Sequence, residues 1–489
     1  MLSTISRLLG RPGERGQVLV LFAGGVTALL IIAALAFDAG MMLVERRDEQ
    51  NAADAAALAG ARHVLTDTTA AETAARQIAL ANGYDDADSD EVVNVFIPPI
   101  HGNPSYRLPG FIEVQIEATR PSIFGSIIGK ASWPIGAYAI ATNAQNLTFP
   151  FSMLALDPHA CKAIHVSGGG VVEAYGNIQA NSDGTDCAGD PVGFSRSGGS
   201  TIDVYATDAT CRAVGDIQDQ GSGYMTCAQS EGSFALPDPL RDKPDPAKPA
   251  LAAPMQFVGP GSAPSQPPKH CPGRTGGDAP NETSPSMCRL GNPSGTYSGL
   301  SWILYPGLYP GGLEIAANTT AYLMPGIYWI GGGGVDIGGG GSMLSIATET
   351  DAAPNVADAT WGGGVLIFNS MLPTSPGGPF ILNSNAATMK LKMFDAPTGD
   401  PDEIYDQMVI FQDRTLTTSV TLNGSSSVTE VMGIIYVPNG QVKLNGNGGT
   451  LITDQIIAGT YDINGNGGTI KVLRNVGVDA VITAAGLVE

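Results

Sequence analysis

The sequence predicts a mainly β protein, in which a right-handed parallel β-helix-like exported domain is carried on an N-terminal transmembrane helix, an alanine-rich stalk and a small α+β module. Three observations lead there. Val18 to Phe37 is a run of twenty residues without a charge. From about residue 150 short apolar strands, punctuated by glycine and asparagine, recur with a period near 20. Between these regions lie an alanine-rich helical pattern and a few segments of strict period-2 alternation.

A helix of twenty residues covers about 30 Å, the hydrocarbon thickness of a bilayer. Arg7, Arg11 and Arg15 precede the run and only Glu14 opposes them, whereas Asp38 to Glu49 is mixed and slightly acidic. The positive-inside rule then leaves residues 1–16 in the cytoplasm and exports the chain beyond Asp38. A cleaved secretory signal has a similar start. This run is longer than a signal core, however, and no A-x-A site ends it.

Residues 17–65 read as the membrane helix and its stalk. Alanine has the highest helix propensity, and only Gly40 and Gly60 weaken the pattern from Asp38 to Leu65. Arg46, Gln50 and Asp54 fall at i, i+4 and i+8 and can pair along one face. Ala52, Ala56 and Gly60 have the same spacing on another face. That stripe either admits a second backbone at close range or is a solvated alanine-rich surface; periodicity does not separate the two.

Arg15 to Ala61, "RGQVLVLFAGGVTALLIIAALAFDAGMMLVERRDEQNAADAAALAGA", resembles the N-terminal module of the tight-adherence (Tad/Flp) pilus-assembly proteins, the TadG-like and TadE-like group. The resemblance rests on Asp38-Ala39-Gly40 closing the apolar run and on Gln50 to Ala61, so that Asp38, Gly40, Gln50, Asn51, Asp54 and Gly60 are its signature positions. It implies a single-pass bacterial protein of a type IVb pilus or secretion apparatus, with other pilus-assembly or pseudopilin subunits as partners. Pilins of such systems carry a glycine, four residues and then Glu-Phe at their processing site. Here Gly16 is followed by Gln-Val-Leu-Val and Leu21-Phe22, so the carboxylate is missing. The resemblance therefore implies an uncleaved TadG-like chain and not a polymerising pilin. The von Willebrand A-like domain of some TadG proteins would need a D-x-S-x-S site, and "DADSD" at 86–90 has neither that order nor an apolar strand before it.

Residues 66–145 form the small α+β module: a helix in "TAAETAARQIALANG", strands in "EVVNVFI" and "FIEVQIEATR", a short helix in "PSIFGSIIG" and a strand in "AYAIATNA". "GSIIGKA" lacks the length and the final Ser/Thr of a phosphate loop. Residues 146–236 and 291–489 carry the β-helix-like grammar. Pro-Gly-(Leu/Ile)-Tyr recurs after 19 residues, at 306 and 325. "LNGNGGT" at 444 and "INGNGGT" at 463 also lie 19 apart, with "LNGSSSV" at 422 a looser copy. Such a repeat predicts Leu444 stacked on Ile463, Pro306 on Pro325, and ladders of asparagine at the corners. A β-sandwich with glycine-rich hairpins is the competing fold. Residues 237–290 interrupt the pattern with a proline-rich linker or excursion.

Net charge of −21 argues against nucleic acid and anionic lipid as partners. Cys161, Cys187, Cys211, Cys227, Cys271 and Cys288 all lie in the exported part without C-x-x-C spacing, and so read as disulfides of open connectivity. Asp395, Asp400, Asp402, Glu403 and Asp406 are candidate Ca²⁺ ligands, against the plainer reading of a solvated acidic loop. No clustered base, histidine constellation or carboxylate pair suited to glycoside cleavage is recognisable, and no cofactor is implied. The sequence thus predicts a non-enzymatic, membrane-anchored component of a Tad/Flp-type pilus-assembly or adhesion system, with surface polysaccharide as a further candidate partner. The alternative is a membrane-anchored, carbohydrate-active or carbohydrate-binding surface β-helix.

Overall fold

The computed structural model describes residues 15–488 except 104, 105, 108, 109, 207, 208, 260, 261, 292–299, 355, 383–387, 425–427, 447, 448, 466 and 467. The expected cytoplasmic start with Arg7 and Arg11, and parts of the repeats beginning at 422, 444 and 463, lie outside the described residues. The chain divides into two units, Met1–Leu147 with Ile482–Glu489, and Thr148–Val481.

In the first unit α1 runs without a break over Arg15–Ala61. Its apolar half is exposed from Leu19 to Phe37, apart from Ala34, which is half-buried. Its alanine half is the reverse: Ala52, Ala53, Ala56, Ala57 and Ala61 are buried. They pack into one core with Ala71, Ala75 and Ala79 of α2 (Thr68–Ala81), which repeat at the same four-residue spacing. A Cβ added to Gly60 would lie 2.9 Å from the Ala71 carbonyl oxygen and 2.5 Å from Ile112 Cδ1. The stripe therefore serves close approach within the chain, and the expected stalk is the core helix of the α+β module. Asp67 starts α2 by accepting the amides of Thr69 and Ala70 at 2.9 and 3.0 Å, and Asn82-Gly83 ends it.

Three antiparallel strands cover this pair: β1 (Glu91–Phe96), β2 (Phe111–Pro121) and β3 (Ser132–Phe149). Alternation on β2 buries Ile112, Val114, Ile116 and Ala118. The strand Ala480–Leu487 completes the sheet beyond β3. This corrects the expected 291–489 domain, whose final residues return to the N-terminal module. Alternation alone cannot tell which sheet a terminal strand joins.

The second unit is built from short, parallel-paired strands wound as a β-helix, with aliphatic side chains inside. The first coil consists of Phe151–Ala155, Ile164–Gly168 and Val171–Ala174; two more coils follow it to Ala228–Ser230. The chain then re-enters at Cys288–Leu290 and winds forward to Thr469–Val472. The last coil stacks on the first, pairing Ile456 with Met153, Tyr461 with Ile164 and Ile470 with Val172. The solenoid thus begins and ends at one internal seam.

Leu444 pairs with Ile463 as the repeat predicts, and Ser301–Leu304 pairs with Thr320–Leu323 at the same spacing. The Pro-Gly corner is longer. Gly307 pairs with Tyr328, so two residues are absorbed there, and the Pro306 ring lies against Gly326 and out of register with Pro325. Both glycines have φ of 136°, a backbone that side chains rarely adopt. An asparagine ladder is present at one corner: Asn445 Nδ2 donates to Asn423 Oδ1 at 2.7 Å, and Asn423 Nδ2 to the Leu382 carbonyl at 2.7 Å.

The proline-rich excursion is a strap along the outside of the coils. Asn181 holds Leu236 by both backbone groups, the Tyr436 hydroxyl donates to Asp238 and Arg414 to the Leu240 carbonyl, and Trp329 Nε1 donates to the Pro246 carbonyl. Leu308 then pairs with Ala250 and Ala252. Tyr436, Phe411, Phe368 and Trp329 form a row with ring centroids 5.2, 5.1 and 5.7 Å apart along this path. Proline suits a segment that needs no ladder of donors.

Candidate functional site at the collar of the long helix

Asp38 comes directly after the last residue of the apolar run, and its carboxylate is the centre of a small collar. Ser122 Oγ donates to it at 2.5 Å, the Gly125 amide at 2.7 Å, the Phe124 amide at 2.9 Å and the Ile123 amide at 3.2 Å. These donors come from the turn that leaves β2 and becomes the 3-10 helix Gly125–Ile128. Gly125 is needed there, because a Cβ would lie 2.2 Å from Ser122 Oγ. The Phe37 ring meets the Phe124 ring edge-on at 6.0 Å. The turn that closes on Asp38 is Ser122–Gly125, and "GSIIGKA" contributes only its first residue to it.

The other signature positions divide. Gln50 Nε2 donates to Asp54 Oδ1 at 2.8 Å and to the Tyr138 carbonyl at 3.0 Å, which ties α1 to β3. Gly60 sits where α1 crosses α2. Asn51 is exposed, and a Cβ on Gly40 would meet no heavy atom within 4 Å.

Above the collar, Arg120 pairs with Glu45 at 2.5 Å and with Glu91 at 2.8 Å. Glu49 lies beside them, fully buried, and neither carboxylate oxygen has a hydrogen-bond partner. Burial, reinforced by the charge of Glu45, pushes its carboxyl up to about 7. Sequence reading missed Glu49, Arg120 and the 122–125 turn. A charge on the alanine face of a helix was the available signal for Glu49; Arg120 and the turn gave none.

The remaining candidates lie in the second unit. Disulfides join Cys161 to Cys187, Cys211 to Cys227 and Cys271 to Cys288, and no cysteine among the described residues is free. Asp400 accepts the Asp402 amide, Glu403 the Gly399 amide and Asp406 the Ala396 amide, at 2.8 to 2.9 Å. Together with Asp395 and Asp402 these carboxylates do not converge: among the described residues no three His, Cys, Asp or Glu side chains are grouped to hold a metal.

Residues 16–63 match the family model described as Flp pilus-assembly TadE/G-like, about a tenth of the chain. No curated protein matches the chain. Among solved structures, the crystal structure of the competence-associated pilin ComZ from Thermus thermophilus aligns at 9% identity over 82% of this chain and 87% of that one, with a TM-score of 0.26. A superposition at that score carries no weight for fold or function. What is established is local: the segment that forms the long helix, with Asp38 and the alanine stripe inside it, is a TadE/G-like Flp pilus-assembly domain.

Proposed function

We propose that the chain is a membrane-anchored, non-enzymatic component of a Tad/Flp-type (type IVb) pilus-assembly or adhesion system. The observation that carries this reading is the TadE/G-like match over residues 16–63. It is supported by α1, the one helix among the described residues that is long and apolar enough to cross a membrane. The basic residues before the apolar run favour a cytoplasmic N-terminus with the bulk of the chain periplasmic or extracellular. Three disulfides suit that oxidising side. Leu21 in place of a glutamate favours an uncleaved anchor, and other pilus-assembly or pseudopilin subunits are the partners this reading names.

Deletion of the gene from its own bacterium tests it. Surface piliation or adhesion should be lost and return with the full chain in trans. Normal piliation and adhesion in the deletion strain would refute the reading.

A further inference from the structure

The turn that closes on Asp38 presents apolar side chains at the level of the membrane helix. Ile123 is 60% exposed, and with Phe124 it borders a groove of about 660 Å³ whose other wall includes Thr27, Leu30, Ile31 and Phe37 of α1. Thr27 and Phe37 are ten residues apart, about 15 Å along a helix. The groove therefore continues the surface that α1 would offer to lipid. Lys130 and Trp133 stand just beyond the turn, the ammonium 5.4 Å from the indole ring. That pairing of residue types is favoured at the headgroup level.

Exposed apolar surface on α1 also passes Asp38, through Met41, Leu43 and Val44. The first charged positions after it are Glu45, Arg46 and Arg47, and Glu45 is already paired with Arg120. Leu19 to Val44 is about 40 Å of helix, close to a bilayer with its headgroup regions included. Asp38 then falls inside the boundary. An aspartate or a set of open backbone amides is costly at that depth. Here each satisfies the other, since the carboxylate takes up the amides of residues 123–125 and the Ser122 hydroxyl.

We propose that the turn Ser122–Ile128 enters the outer interface of the bilayer beside α1, with a lipid acyl chain in the groove, so that the chain meets the membrane at two places. The inference rests on α1 crossing the membrane. Full-length protein in phosphatidylethanolamine/phosphatidylglycerol liposomes tests it by nitroxide labelling of Ile123→Cys, Leu30→Cys and Leu80→Cys, one at a time; the native cysteines are held in disulfides. Position 123 should follow position 30, with collision rates higher for oxygen than for a water-soluble nickel chelate. Exposed Leu80 of α2 should show the reverse. A lipid-like position 30 with a water-like position 123 overturns the inference and leaves the anchor intact. Water-like behaviour at both overturns the anchor and the inference together. Protection of 123 from both reagents means protein covers it, which also overturns the lipid assignment.

Discussion

In the helical module a single glycine, Gly60, meets Ala71 and Ala75 where two helices cross, whereas in the solenoid one kind of contact, strand upon parallel strand, recurs from coil to coil. The module depends on a few contacts that occur once each: the crossing, the Asp38 collar and the Gln50 tie to β3. The solenoid distributes its stability over nearest-neighbour interfaces that resemble one another. Substitutions should accordingly act by different rules in the two regions. A change at the crossing should loosen the whole module, and a change in one coil should be felt mainly by the coils it touches.

The largest effect is expected beneath the strap, where in-register aromatic rings stack from coil to coil. Phe411 is fully buried between Phe368 and Tyr436. Phe411→Ala should cost about 3–5 kcal/mol in denaturant unfolding. It should also free the strap near Leu240 to amide hydrogen exchange before the N-terminal coils open. Equal loss of protection in every coil would contradict the nearest-neighbour picture.

At the crossing, Gly60→Val should cost about 1–3 kcal/mol, because even if the Ile112 side chain swings aside, the added Cβ still lies 2.9 Å from the Ala71 backbone carbonyl oxygen. Hydrogen exchange should then rise together in α2 and the adjoining stretch of α1. Unchanged protection would show that the crossing is looser than it looks.

Glu49 sharpens the comparison in the opposite direction, since its removal should stabilise. Its carboxyl is raised from an ordinary 4.5 to about 7, so the folded module binds more protons than the unfolded chain between those values. Stability attributable to this group is thus greatest below pH 4.5, falls as pH rises towards 7 and is level above that. Glu49→Met should gain on the order of 1–3 kcal/mol at pH 8, and the gain should shrink near pH 4 to what the unpartnered neutral carboxyl still costs. Thermal midpoints at several pH values measure it; a gain independent of pH would mean that the charge is not the cause.

The smallest effect belongs to the ladder. Asn423→Ala removes one rung between Asn445 and the Leu382 carbonyl and should cost about 1 kcal/mol. Exchange should increase only around that corner.

These differences also mark what could be read in the sequence. Period and composition reported contacts made by neighbours in a repeat: the apolar run, the α2 pattern, the pairing of Leu444 with Ile463. They did not report contacts that depend on distant segments. The stacking of 151–174 on 456–472 spans some three hundred residues and leaves no periodic trace. The return of Ala480–Leu487 to the first sheet is equally silent, as is the meeting of Asp38 with a turn more than eighty residues away. The alanine stripe was visible, yet its partner was not, because four-residue spacing looks the same whether a surface faces water or another helix.

The internal seam has a consequence for the order of events during synthesis. Strands 151–174 are made early, but one of their two hydrogen-bonding edges is filled only when residues 456–472 arrive. At about 5–20 residues per second, the intervening chain takes roughly 15 to 60 s to elongate. Throughout that interval an unpaired strand edge is available to any other chain. The disulfides offer no shortcut, since each closes a loop of 26 residues or fewer and none links early coils to late ones. A chain cut short before residue 456 would keep that edge open permanently.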